Sequence, residues 1–282
     1  MAYLTDWRLE PPLFAIAAGA LVYALGLRKR VSQRRGPRTE ATLFGAGLIA
    51  LVLAYDSPLA ALDDELFWVH MTQHMLILAV APPLILLGRP GATIARALPL
   101  GVRRPIARGL ARGAWSAPLR AAGRRLAGST LTLVLFTVTL IAWHLPGLYD
   151  ATLRSSAVHE LEHALFLAVG LLYWSQLIDS PPFRSRLGSG QRALYATVGM
   201  AVGSVLGLVL AFAPSPLYPG YADLGSRPGG ISALADQHLA GGIMWVPGSI
   251  SFTAAIVFFA YRWLEESAQE GRRAPSTLVG ER

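Results

Sequence analysis

Seven apolar runs of near-membrane length, at residues 13–27, 41–55, 66–87, 129–144, 158–178, 193–212 and 238–263, leave this chain few ways to fold. A bilayer core asks for about 20 residues of apolar helix, with roughly 17–25 observed. Backbone groups in hydrocarbon must bond to one another, so such runs fold as helices. Residues 1–264 are therefore read as a single all-α domain, a polytopic integral membrane bundle of about seven transmembrane helices, and residues 265–282 as a disordered cytoplasmic tail. Composition agrees: 53% of the 282 residues are hydrophobic and 15% are charged, where soluble domains carry about 25% charged. The first run has no basic region ahead of it and opens on Pro11 and Pro12, where a helix tolerates proline. It is read as a membrane helix and not as a cleaved leader. Pro82 and Pro83 lack N–H groups and are expected to kink the third helix near its inner end.

The linkers set the expected orientation, because cytoplasmic loops collect Lys and Arg. Residues 28–38, 88–128, 184–192 and 262–282 hold 22 of the 25 basic residues and alternate with the other loops. The N-terminus is thus expected outside and the C-terminus in the cytoplasm. Linker 88–128, with nine arginines and no acid, reads either as short amphipathic helices on anionic lipid headgroups, notably over 92–98 and 102–112, or as a solvated loop. The high pI of about 10.3 is absorbed by this topology, and no nucleic-acid partner is implied.

Within the third run stands His70-Met71-Thr72-Gln73-His74-Met75, which stacks two imidazoles on one helix face. The spacing returns at His159 and His163, at the head of the fifth run, while His144 ends the fourth and His238 opens the seventh. On the expected topology all six histidines fall at the outer face, with Asp63, Asp64, Glu160, Glu162 and Asp236 near them as orienting or cation-attracting groups. The chain has no cysteine, so a metal would be held by His, Met, carboxylate or backbone. A lone interfacial histidine is most simply a hydrogen-bonded or snorkelling residue. Two pairs at i, i+4 on one side of a membrane point instead to a metal site between helices three, four and five, with seven a further candidate. The candidate ligands are His70, His74, His144, His159, His163 and His238, with Met71, Met75 and also Met244 as thioether donors, although core packing is the simpler reading of the methionines. Imidazole suits copper, zinc and haem iron, and thioethers tilt the choice toward Cu(I), with zinc left open. Trp68, Trp143 and Trp245 read as an aromatic belt. A copper-handling protein, an intramembrane zinc hydrolase, and a bis-histidine haem or copper-transport protein all fit these residues.

The histidine motifs carry a further signal in combination. His70-Met71-Thr72-Gln73-His74-Met75 is followed by Ala81-Pro82-Pro83-Leu84 and Gly88-Arg89-Pro90, then by Trp143-His144-Leu145-Pro146-Gly147-Leu148-Tyr149 and by His159-Glu160-Leu161-Glu162-His163. The last is Asp236-Gln237-His238-Leu239-Ala240-Gly241-Gly242, running on to Gly248. Together, over about residues 40–262, they resemble the CtaG family of cytochrome c oxidase assembly factors, first associated with caa-type oxidases. The resemblance implies a multi-pass protein of the bacterial plasma (inner) membrane that is not an enzyme. It implies a role in maturing a haem–copper oxidase, with copper supplied to the catalytic subunit from a periplasmic donor. By motif it makes His70, His74, His144, His159 and His163 the candidate ligands, with His238 a weaker one.

Overall fold

The computed structural model describes residues 7, 11–28, 37–57, 60–126 and 128–273, and there is no strand among them. The chain opens with α1 (Pro11–Arg28) and α2 (Pro37–Tyr55). A broken helix follows: α3 (Phe67–Met75), a π-helical segment Leu76–Val80, and α4 (Ala81–Leu87). Three short helices come next, α5 (Pro90–Ala97), α6 (Leu100–Arg112) and α7 (Ala117–Leu126). The second half holds α8 (Ser129–Trp143), α9 (Pro146–Arg154), α10 (Ser156–Trp174), α11 (Ser189–Phe212), α12 (Pro219–Ala222) and α13 (Ala233–Arg273). Five of these are long and apolar enough to cross a membrane: α1, α2, the broken helix Phe67–Leu87, α11 and α13. Of the two other expected spans, α8 has only 15 residues, and the 19 of α10 begin with two turns that carry His159, Glu160, Glu162 and His163.

The broken helix is the axis of the bundle, with 72% of its span buried against 11% for α1. Outward-facing Leu21, Val138, Val205, Ile250 and Val257 are exposed, as expected of surfaces solvated by lipid. The expected kink takes the form of the π segment. Pro82 cannot donate to the carbonyl four residues back, and the indole Nε1 of Trp174 on α10 donates to that Leu78 carbonyl at 3.1 Å. A side chain from a neighbouring helix therefore satisfies the acceptor that proline leaves open.

Close helix contacts use glycine. A Cβ on Gly241 of α13 would fall 2.4 Å from the Ala211 nitrogen and 2.6 Å from the Gly207 carbonyl oxygen of α11, the near approach that small residues permit in membranes. On the periphery Tyr23 of α1 stacks on Phe44 of α2 at 3.9 Å and donates its hydroxyl to the Gly88 carbonyl at 2.8 Å.

One open expectation is decided here and two change. Linker 88–128 is largely helical, as α5, α6 and α7, and α6 and α7 expose most of their arginines. The turn between those two helices is tied by Arg120, whose Nη1 donates to the carbonyls of Leu110 at 3.1 Å and Gly113 at 2.8 Å. The tail is not disordered from 265. α13 continues to Arg273, supported by Glu266, which pairs with Arg262 at 3.2 Å and accepts from the Ser189 hydroxyl at 2.9 Å. Residues 274–282 lie outside the described residues, as do 29–36, which hold most of the first basic loop. Trp143 is buried in the core and not in a belt, whereas Trp245 is 39% exposed.

Candidate metal centre

α3 and α10 enter the bundle side by side from the same end, so the first turns of both bring their i, i+4 histidine pairs face to face. The first turn of α3 starts where it does because Asp236, on the first turn of α13, accepts from the backbone N–H groups of Phe67 and Trp68 at 3.0 and 2.9 Å. That carboxylate supplies the N-terminal cap that the preceding Leu66 does not. Asp236 is thus an anchor for the site-bearing helix and is not one of the groups that meet around the imidazoles.

His70, His159, Glu162 and His163 form the tightest group: one ligand atom from each lies within 4.8 Å of all the others. Residues 159, 162 and 163 are spaced i, i+3, i+4 and share one face of α10. His70 Nε2 is 2.9 Å from His74 Nε2, and Glu162 reaches both, at 3.4 Å to His70 Nε2 and 3.6 Å to His74 Nε2. Ring centroids are 4.2 Å apart for His159 and His163 and 4.8 Å for His70 and His159. His144, at the end of α8, lies beside His74 at 6.2 Å between centroids, its Nδ1 against the Leu140 carbonyl at 2.7 Å.

A roof of aromatics encloses this group. Phe67, Tyr149 of α9, and Tyr218 and Tyr221 at α12 pack together with centroids 4.4–6.0 Å apart, and His70 lies against Tyr149 at 5.1 Å, its ring tilted by 41°. Tyr221 donates its hydroxyl to the Asp63 carbonyl and lies 3.4 Å from His70 Nδ1. Burial pushes the Tyr221 and Tyr149 hydroxyls well above the usual phenol range, so both stay protonated. Below the imidazoles, Phe166 closes the site at 4.6 Å from His74. To the side, Gln73 Nε2 donates to Asp63 Oδ2 at 3.0 Å, and Asp63 Oδ2 faces His159 Nε2 at 3.9 Å.

The residues present fit a cation. Among buried side-chain atoms, His74 Nδ1, His144 Nε2, His159 Nε2, His163 Nε2 and both oxygens of Glu162 have no hydrogen-bond partner. Each such group costs about 1–3 kcal/mol when left unsatisfied, and one positive ion would relieve several of them together. Metal–nitrogen bonds of about 2.1 Å would put ligand atoms roughly 3.4 Å apart, so the group would close by up to about 1.4 Å around an ion.

The structure thus brings five of the six candidate histidines together and leaves His238 out. Its Nε2 bonds the Ala213 carbonyl at 2.9 Å, which ties α13 to the end of α11. Met75 lines a small apolar cavity with Met244, Phe136 and Phe252, and Met71 is buried in the apolar core. Glu162, expected as an orienting or cation-attracting acid, offers a carboxylate oxygen within the donor group and is fully buried. The shared face of 159, 162 and 163 is the signal that marks it.

Comparison with known proteins gives the same direction. The family described as cytochrome c oxidase caa3 assembly factor (Caa3_CtaG) matches residues 21–266. Uncharacterized proteins of Mycobacterium bovis and Mycobacterium tuberculosis are each 28% identical over 97% of this chain and 42% of their own length. One of Mycobacterium leprae is 25% identical over 98% of this chain and 43% of its own. The chain thus spans under half the length of these relatives. No solved structure matches. With its matched region running from within α1 to near the end of α13, this chain belongs to the cytochrome c oxidase caa3 assembly factor family.

Proposed function

We propose that this protein serves the assembly of a haem–copper cytochrome c oxidase by holding copper as cargo at His70, His159, Glu162 and His163, with His74 and His144 as adjoining donors. The observation that carries the reading is the convergence of four donor atoms within 4.8 Å, most of them buried and unpartnered. Imidazole nitrogen suits copper, and the family supplies the oxidase context. A site built without thiolate, from residues on two helices, holds an ion and can release it to a copper-poor acceptor. His70 Nε2 and His74 Nε2 stand 2.9 Å apart, a spacing at which one donates and the other accepts, and an ion held at both nitrogens would require the donor ring to carry its proton on Nδ1 instead.

In this reading α8 and α10 also cross the bilayer, giving seven spans with the N-terminus outside. The site faces the extracytoplasmic side of a bacterial inner membrane, α5 to α7 lie on anionic lipid at the cytoplasmic surface, and the copper passes laterally to the oxidase catalytic subunit. The role is that of a chaperone, with no turnover of its own.

The test is elemental analysis of the detergent-purified protein after loading with cuprous ion and desalting, beside a His70→Ala/His163→Ala variant. About one copper per chain in the parent and almost none in the variant is expected. Copper equal in both would refute the site, and zinc retained in place of copper would refute the cargo.

A further inference from the structure

The four donor residues of the metal group are unequal in one respect: His70, Glu162 and His163 are buried, and His159 alone is partly exposed. An ion reaches a closed site through its least covered ligand, so the approach lies on the His159 side. A cavity of about 220 Å³ stands at that point, lined by His159 and His163 together with Asp63, Asp64, Arg154 and Glu160. At about 30 Å³ per water, it has room for a cation with a first water shell. His163 belongs to both the cavity wall and the metal group, and its buried Nε2 has no hydrogen-bond partner. The charged groups of the wall are three carboxylates and one guanidinium, a balance that favours a cation.

We infer that this polar cavity is the port through which the metal ion enters and leaves the buried site, with Asp64 and Glu160 capturing the hydrated ion at the mouth and His159 receiving it at the inner end. Exposure falls in that order. Asp64 and Glu160 are exposed, His159 is intermediate, and His163 and Glu162 are buried. Water is thus shed stepwise as carboxylate and imidazole replace it. Among the described residues, Tyr149, Tyr218 and Tyr221 pack over the imidazoles on one side and Phe166 on another. The inference rests on the metal-holding role proposed above and adds the route.

The absence of cysteine in the chain makes the test clean. Ser156 lines the cavity and is exposed, whereas Ser267 is exposed near the far end of α13. Ser156→Cys and Ser267→Cys proteins are each capped with iodoacetamide or with bulky fluorescein maleimide. Cuprous ion with excess ascorbate is then added, and copper per chain is followed over time by rapid desalting and elemental analysis. The bulky cap at position 156 should slow loading about tenfold relative to the small cap, with final copper unchanged, and an Asp64→Asn/Glu160→Gln variant should load about threefold more slowly with a flatter salt dependence. Equal loading rates for the bulky cap at 156 and at 267, both reaching full copper, would overturn the port and leave the metal site standing. No copper in the parent at any time would overturn both.

Discussion

The broken helix Phe67–Leu87 and the first helix Pro11–Arg28 are both apolar and membrane-length, yet 72% of one span and 11% of the other are buried. Apolarity explains why each enters the bilayer and says nothing about which faces protein. Their polar content does. His70, Gln73 and His74 would be costly against lipid, so the helix that carries them is drawn to the centre, where Glu162, Asp63 and the other imidazoles receive them. The first helix has no such group between Pro11 and Arg28, and its buried residues lie near one end, with Tyr23 on Phe44 of α2 and Gly26 against Thr93 of α5.

This contrast can be broken at its centre. Replacing Glu162 by Ala removes an anionic donor from the metal group, and affinity for cuprous ion should fall on the order of 100-fold or more, as read by competition with a chromophoric chelator. Leu21→Ala on the lipid face of α1 should leave the same titration unchanged. Copper affinity that responds equally to both would mean that burial does not distinguish the two helices functionally.

Asp236→Asn weakens the charged cap on α3 and leaves Arg227, 3.9 Å away, without its carboxylate. A loss of about 2–3 kcal/mol in denaturant titration is expected from two hydrogen bonds to a charged group. Trp174→Phe removes the donor to the Leu78 carbonyl beside the π segment and should cost about 1–2 kcal/mol in the same assay. The smallest effect belongs to α1. A Cβ at Gly19 meets nothing within 4 Å, so Gly19→Ala should shift stability by no more than about 0.5–1 kcal/mol, toward stabilisation, through helix propensity alone. A large destabilisation there would show that a partner covers this face.

What could be read in the sequence follows the same division. Helical class, membrane character and the two i, i+4 histidine pairs were all legible, because periodicity and hydrophobicity are local properties. The role of His238 was not. Its position at the head of a long helix matched the other histidines, but the Ala213 carbonyl that it meets is 25 residues away. Whether Glu162 attracts a cation or orients an imidazole is open in sequence for a related reason, since only the docking of α10 on α3 sets its carboxylate among the imidazole nitrogens. Asp236 seemed a site acid because it neighbours His238, whereas the free N–H groups that it caps belong to a helix 168 residues earlier. The tail from 265 reads as disordered in sequence because the contacts that order it up to Arg273 lie on Ser189 of another helix and in i, i+4 pairing on α13.

The most direct test of the proposed centre is the copper K-edge absorption spectrum of the loaded protein, analysed for the scatterers around the ion. Three imidazole nitrogens with one carboxylate oxygen, and no sulfur, is the result expected for His70, His159, His163 and Glu162. A spectrum dominated by sulfur would place the ion among methionines such as Met75 and Met244 and contradict the account.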